Sequence, residues 1–245
     1  MKKKKITMQT ISSFLVLATL LATLNCSHSF SDQAHDSIKE TKPLVGVSAL
    51  KIDGVFNLHL IQSDQEQITI EGSQELLDEL LIHQEGNVLV LEIKKDQRFI
   101  FEDEELSITI SLAKLRSLEY NGVGNARTDG TFKIDSLDLR GNGVGNLNLS
   151  LEANSITADF DMVGNITLDG SSQSAIFINK GIGNLDASNL LVQDLTLTSS
   201  GIGKVEVNCT GDLSLEAEGI GKVSVSGDPR ITNKSVSGIG KVDID

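Results

Sequence analysis

Tryptophan is absent from this chain of 245 residues, tyrosine occurs once and cysteine twice. One tyrosine and no tryptophan leave few flat rings on which a sugar could stack. No Cys/His cluster has the spacing of a zinc site, and if Cys26 carries a lipid then Cys209 has no partner; neither disulfides nor structural zinc are expected to hold the fold. Basic residues are also in short supply, 21 Lys and Arg against 34 Asp and Glu. A nucleic-acid partner is therefore excluded, because displacing phosphate counterions needs clustered positive charge. Ile11 to Leu24 is an apolar run broken only by Ser and Thr, too short and wrongly flanked for a membrane span.

That run is instead read as an export signal, residues 1–25, with Lys2 to Lys5 as its positive start. Cys26 stands where a bacterial lipoprotein is cleaved and acylated, within "LATLNC". Asn25 and Leu24 depart from the small residues usual in such a box, but no A-x-A site for ordinary cleavage replaces it. Lipid attachment at Cys26 is the expectation, and an incidental signal-peptide cysteine the alternative. Residues 1–25 carry four lysines and no acid, so their removal takes the formal charge from −13 to −17. Residues 26–43 are mostly polar and are expected to be a flexible tether.

What the chain has in abundance is a repeat. Aligned on the second glycine of a Gly-x-Gly phrase, copies fall at Gly124, Gly145, Gly164, Gly183, Gly203, Gly221 and Gly240, spaced 18 to 21 residues apart. Such a period means stacked units of one supersecondary element each. The second residue after each glycine is aliphatic, from Ala126 to Val242, and polar residues alternate with it, the pattern of a strand with one face in the core. A second apolar alternation precedes each glycine, as at Leu137 and Leu139. Each unit therefore reads as strand, glycine corner, strand and polar turn. The glycines are expected to supply backbone angles that a side chain forbids, with φ > 0 at the second glycine of most copies. Met162 replaces the first glycine in one copy, which makes the second the stricter requirement. The β-branched residue between the glycines, Val123, Val144, Val163, Ile182, Ile202, Ile220 or Ile239, is expected to point into the core.

Shorter alternating segments over residues 45–115 extend the same body, and "SQELLDELL", residues 73–81, reads as a helix with Ser73 as N-cap, covering the bare end. At the other end Lys234 replaces an inward aliphatic residue, and Lys241, Asp243 and Asp245 discourage addition of another strand. The expected fold is all-β, a parallel β-helix over residues 44–245.

The entry "GVSALKIDGVFNLHLIQSDQEQITIEGSQELLDELL" followed by "GNVLVLEI", together with the repeated "GVGN", "GIGN" and "GIGK", resembles the head GIN domain family of adhesin-class envelope proteins of Bacteroidetes. The resemblance covers nearly all of residues 45–245. It implies a right-handed parallel β-helix on an exported, often lipidated protein, hence an outer-membrane lipoprotein facing either the periplasm or the cell surface. It carries over no catalytic residue.

Candidate chemistry is sparse. The residue after the anchoring glycine is Asn125, Asn146, Asn165 and Asn184, then Lys204, Lys222 and Lys241. The asparagines suit an amide ladder along the stack, whereas stacked lysines must face water. The three lysines form a candidate anion-contact stripe, set against a plain solvated face neutralised by Glu206 and Asp243. Asp159 with Asp161, and Glu216 with Glu218, are outward i, i+2 carboxylate pairs about 6.5–7 Å apart, near the separation of inverting glycosidases. A polysaccharide-acting enzyme is thus the alternative to a non-catalytic surface, but all four histidines lie outside the clear repeats. "GNGVGN" precedes a strand and not a helix, against a phosphate loop. Calcium nonapeptide repeats need Asp where Ala126, Leu147 and Ile166 stand. No cofactor or metal is expected. The expected partners are the membrane, through the lipid, and a protein or glycan; a purely structural envelope scaffold is the other non-enzymatic reading.

Overall fold

Period-two alternation over most of the chain leaves strand stacking as the way to bury its aliphatic positions. The computed structural model describes residues 37–94 and 105–245. The expected signal peptide, Cys26 and the first part of the tether lie outside the described residues. The segment from His35 to Asp245 is one compact unit. Its core is drawn from residues between Leu44 and Ile244, so the unit carries its own means of folding.

The N-terminal part contains β1 (Ile38–Pro43), β2 (Ala49–Asp53), β3 (Asn57–Gln62), β4 (Gln67–Gly72), α1 (Gln74–Glu79), β5 (Leu80–Glu85), β6 (Val88–Ile93), β7 (Ser107–Leu112), β8 (Ser117–Tyr120) and β9 (Val123–Asp129). Long strands that bend around corners follow: β10 (Phe132–Gly141), β11 (Val144–Phe160), β12 (Val163–Asn179) and β13 (Ile182–Ser199). The last coils are β14 (Ile202–Cys209), β15 (Asp212–Ala217), β16 (Ile220–Ser226), β17 (Arg230–Val236) and β18 (Ile239–Ile244).

These strands stack as a parallel β-solenoid. One side runs β6, β2, β8, β10, β11, β12, β13, β15, β17, every neighbour parallel. The other runs β7, β3, β9, β11, β12, β13, β14, β16, β18, also parallel throughout. A short third side joins residues 132–134, 151–153, 170–172 and 190–192 in the middle coils. Between the sides lies a dry column that includes Leu147, Leu149, Ile166, Leu168, Phe160 and Phe177, all nearly inaccessible. Each such side chain contributes about 1.5–3 kcal/mol on burial.

Three features depart from the expectation. Chain order is not spatial order: the coil β2–β3 lies between β6–β7 and β8–β9, so the chain builds outward to β4 and β5 and then returns past its own start. Residues 38–43, expected within the tether, form β1, which pairs antiparallel with β4 from Ile38 opposite Gly72 to Pro43 opposite Gln67. The reason is the otherwise open edge of β4; as an edge strand wet on both faces, β1 carries polar pairs such as Thr41 Oγ1 with Thr69 Oγ1 at 3.0 Å. The helix is shorter than residues 73–81. Ser73 caps it, accepting from the Leu76 amide at 3.4 Å, but Leu80 and Leu81 already belong to β5, paired antiparallel with β6. It buries only Leu76 and packs chiefly against β4 and β5, so it turns a corner, and the end strands are covered by β1 on β4 and by β5 on β6.

At the far end the stack frays into water. Lys234 sits opposite Leu215 in the inward column, and β17 is exposed along its length.

Candidate functional site

The repeated corner is the one feature present in nearly every coil. The second glycine has φ between 132° and 143° at Gly124, Gly145, Gly164, Gly183, Gly203 and Gly221. Gly240, in the last coil, has no positive φ. Crowding adds to the angle: a Cβ on Gly183 would stand 1.8 Å from the Gly164 carbonyl oxygen, and one on Gly164 1.9 Å from that of Gly145. The backbones of successive coils touch here, which leaves room for no side chain. The first glycine is looser. Met162 occupies that position and is buried, and its Sδ takes the space into which a Cβ on Gly141 would reach, at 2.6 Å. The register pairs Gly141 of the preceding coil with Phe160, so the methionine is accommodated where the neighbouring coil has no side chain.

The residue between the glycines points outward, not inward. Val123, Val144, Val163, Ile182, Ile202, Ile220 and Ile239 are 47–75% exposed. The expectation of burial fails for a geometric reason. Counting back by two from the buried position after the glycine, at Leu147 for instance, reaches Gly145 and Gly143, not Val144. Hydrophobicity argues for burial at these positions, but parity places the side chain outside. Val55, 42% exposed and bridged to Val123, extends the row by one coil.

Beside this row runs the amide ladder. Asn184 Nδ2 donates to Asn165 Oδ1 at 2.9 Å, Asn165 to Asn146 at 3.1 Å, and Asn146 to Asn125 at 2.8 Å. Asn125 donates to Asn57 Oδ1 at 3.1 Å. Asn57 escapes the sequence pattern because its coil carries no Gly-x-Gly phrase; the "GVFN" of residues 54–57 is the only signal. The column continues with three exposed lysines, each matched to an acid. Lys204 Nζ lies 2.7 Å from Glu206, Lys222 3.1 Å from Asp243, and Lys241 2.7 Å from Asp243. Hydrogen bonds from Lys241 and then Lys222 hold the Asp243 carboxyl below its usual range.

Of the carboxylate pairs, Asp161 and Glu218 stand two residues before Val163 and Ile220, on the side of the outward row away from the amide ladder. Asp159 accepts from Lys180 Nζ at 2.9 Å, and with Asp161, Glu119 and Arg140 it borders a shallow groove of about 300 Å³. Glu216 and Glu218 are exposed on β15 and just beyond it. Cys209 is buried, its thiol pushed up by burial, with Sγ 3.3 Å from the Gln193 carbonyl. "GNGVGN" runs into β11 and opens no helix. Among the described residues no cluster of His, Cys, Asp and Glu could hold a metal, and no helix is long and apolar enough to cross a membrane.

A stack of parallel coils whose corner is set by backbone-to-backbone contact at a repeated glycine defines a parallel β-solenoid. Residues 47–229 match the family described as "Putative auto-transporter adhesin, head GIN domain", and the chain belongs to it. It is similar to the crystal structure of a putative adhesin from Bacteroides fragilis, with 26% identity and a TM-score of 0.77 over 85% of this chain and 97% of that one. A putative adhesin from Parabacteroides distasonis has 20% identity and a TM-score of 0.59, covering 85% and 97% of the two chains. One from Parabacteroides merdae has 18% identity and 0.57, covering 85% and 96%; the last two likenesses show the fold alone. No curated protein matches the chain.

Proposed function

We propose that this is an exported envelope protein, held to the outer membrane by lipid on Cys26, whose solenoid acts as a non-catalytic, adhesin-like interaction surface. Membership of the head GIN family over residues 47–229 is the observation that carries the reading. The physical features agree with it. The solenoid spreads a small mass into a long surface, and the formal charge of −17 left after removal of residues 1–25 favours protein or neutral glycan partners over polyanions. The stripe of Lys204, Lys222 and Lys241 is a weak candidate for anionic glycans, since Glu206 and Asp243 already occupy its charges.

Cell fractionation and protease treatment of intact cells test this reading. The wild-type chain is expected in the outer-membrane fraction and Cys26→Ala in the soluble fraction; a wild-type chain that fractionates as soluble would overturn the anchor. Cleavage of the solenoid by external protease supports contact with neighbouring surfaces, whereas full protection would place it in the periplasm and favour a scaffold.

The groove that holds Asp159 and Asp161 beside Arg140 and Lys180 supports a second reading, a polysaccharide-acting enzyme. Turnover of acidic or neutral polysaccharide that disappears in Asp161→Asn would establish it.

A further inference from the structure

The outward row from Val55 to Ile239 is continuous. The backbone register places each member directly over the next through eight coils. At about 4.8 Å per coil it is an aliphatic ridge about 34 Å long. Strand propensity alone does not account for it. Threonine is equally β-branched and serves at outward positions elsewhere, at Thr157, Thr167, Thr196 and Thr198, yet all eight ridge positions are Val or Ile. The flanking columns are polar throughout: the residue two before each ridge position runs from Asp53 to Ser237, and the residue two after from Asn57 to Lys241. An apolar line with polar margins is the form of an interaction surface.

We propose that a second copy of this chain covers the ridge, lying antiparallel to the first. A single-file row of side chains leaves gaps of its own width, so the surface that matches it over eight levels is one of the same period. Two closed arrangements exist. A two-fold axis along the solenoid sets every side chain tip to tip with its own equivalent. An axis perpendicular to the solenoid can be placed anywhere along it, so the rows can slip by half a level and mesh.

The charges fit either arrangement, the first setting Glu218 opposite Lys222 of the other copy and the second Asp161 near Lys180, and it is the meshing of the rows that favours the second. Overlapping all eight levels antiparallel brings Lys241, Lys222 and Lys204 to within half a level of Asn57, Asn125 and Asn146, whose amide oxygens accept hydrogen bonds. Asp161, for which no ion pair within the chain is found among the described residues, comes opposite Lys180 of the other copy, twice by symmetry. The ridge with its two margins is about 13 Å wide, so the pair buries on the order of 900 Å² in total. That area is small for a stable complex, and a dissociation constant of tens of micromolar is expected. The inference stands independently of the envelope reading.

Sedimentation of residues 35–245 over a range of concentrations tests it. A monomer–dimer equilibrium is expected, with mostly dimer at about 500 µM. The triple variant Val163→Thr, Ile182→Thr, Ile202→Thr is expected to keep its melting temperature and to dimerise at least tenfold more weakly. Disulfide trapping then reads the direction. Val123→Cys and Ile220→Cys are expected to cross-link when mixed, and neither alone. Monomer at about 500 µM, a dimer indifferent to the threonines, or Val123→Cys coupling to itself would each overturn the proposal.

Discussion

The glycine corner acts through individual residues, and Gly183 tests it. Its φ of 135° and the 1.8 Å approach of a built Cβ to the Gly164 oxygen leave an alanine no relaxed position. Gly183→Ala is expected to cost about 3 kcal/mol or more, read as a fall in the urea midpoint. Tyr120 offers the opposite sign. Its ring is buried, its hydroxyl has no hydrogen-bond partner among the described residues, and burial pushes its pKa up to about 12. Tyr120→Phe should therefore be neutral or stabilise by about 1 kcal/mol, whereas a loss of more than about 1 kcal/mol would reveal a partner for the hydroxyl. At this scale the glycines were legible from spacing, because a residue without a side chain, recurring at a fixed period, marks a bend that recurs with it. The direction of the valines and isoleucines was not legible. Their chemistry argues for burial and only parity argues against it.

Among the elements, β16 and β18 form the end of the stack, where aliphatic burial is thinnest and polar contacts count for more. Asp243 bridges Lys222 of β16 and Lys241 of β18, and Arg230 at the start of β17 pairs with Asp212 of β15, whose carboxyl that pairing also holds low. A carboxylate whose folded pKa is depressed adds stability above its unfolded value of about 3.9 and loses it as pH falls through the folded pKa. Amide exchange in β16–β18 is accordingly expected to accelerate below about pH 4, and less steeply in Asp243→Asn. An acid profile unchanged by that substitution would show that the bridge contributes nothing to the end coils. Element boundaries were less legible than element types. The Leu-rich stretch of residues 76–81 has helical local periodicity, yet pairing with β6 takes Leu80 and Leu81 into a strand. β1 carries no signal, since an edge strand wet on both faces has no apolar alternation to betray it.

For the whole molecule, the period near 20 residues was enough to infer a parallel solenoid, because each coil can bury its apolar side only on its neighbours. The insertion of β2–β3 between later coils was not legible. Strand partners there are separated by 39 to 68 residues along the chain, and nothing in the spacing of apolar residues records which coil is laid on which. The proposed interaction surface was half legible: the amide and lysine columns were visible as stacked positions, while the ridge beside them has the composition of a core.

The corner places the residue between the glycines outside and the second residue after them inside, and the solenoid and its surface both depend on that division. Thiol labelling of residues 35–245, which omit Cys26, compares the two positions directly at high dilution, since the native Cys209 is buried and silent. Val144→Cys is expected to react in the folded protein at nearly the rate of an unfolded peptide, and Leu147→Cys only on unfolding. Protection of Val144→Cys together with ready labelling of Leu147→Cys would contradict this geometry.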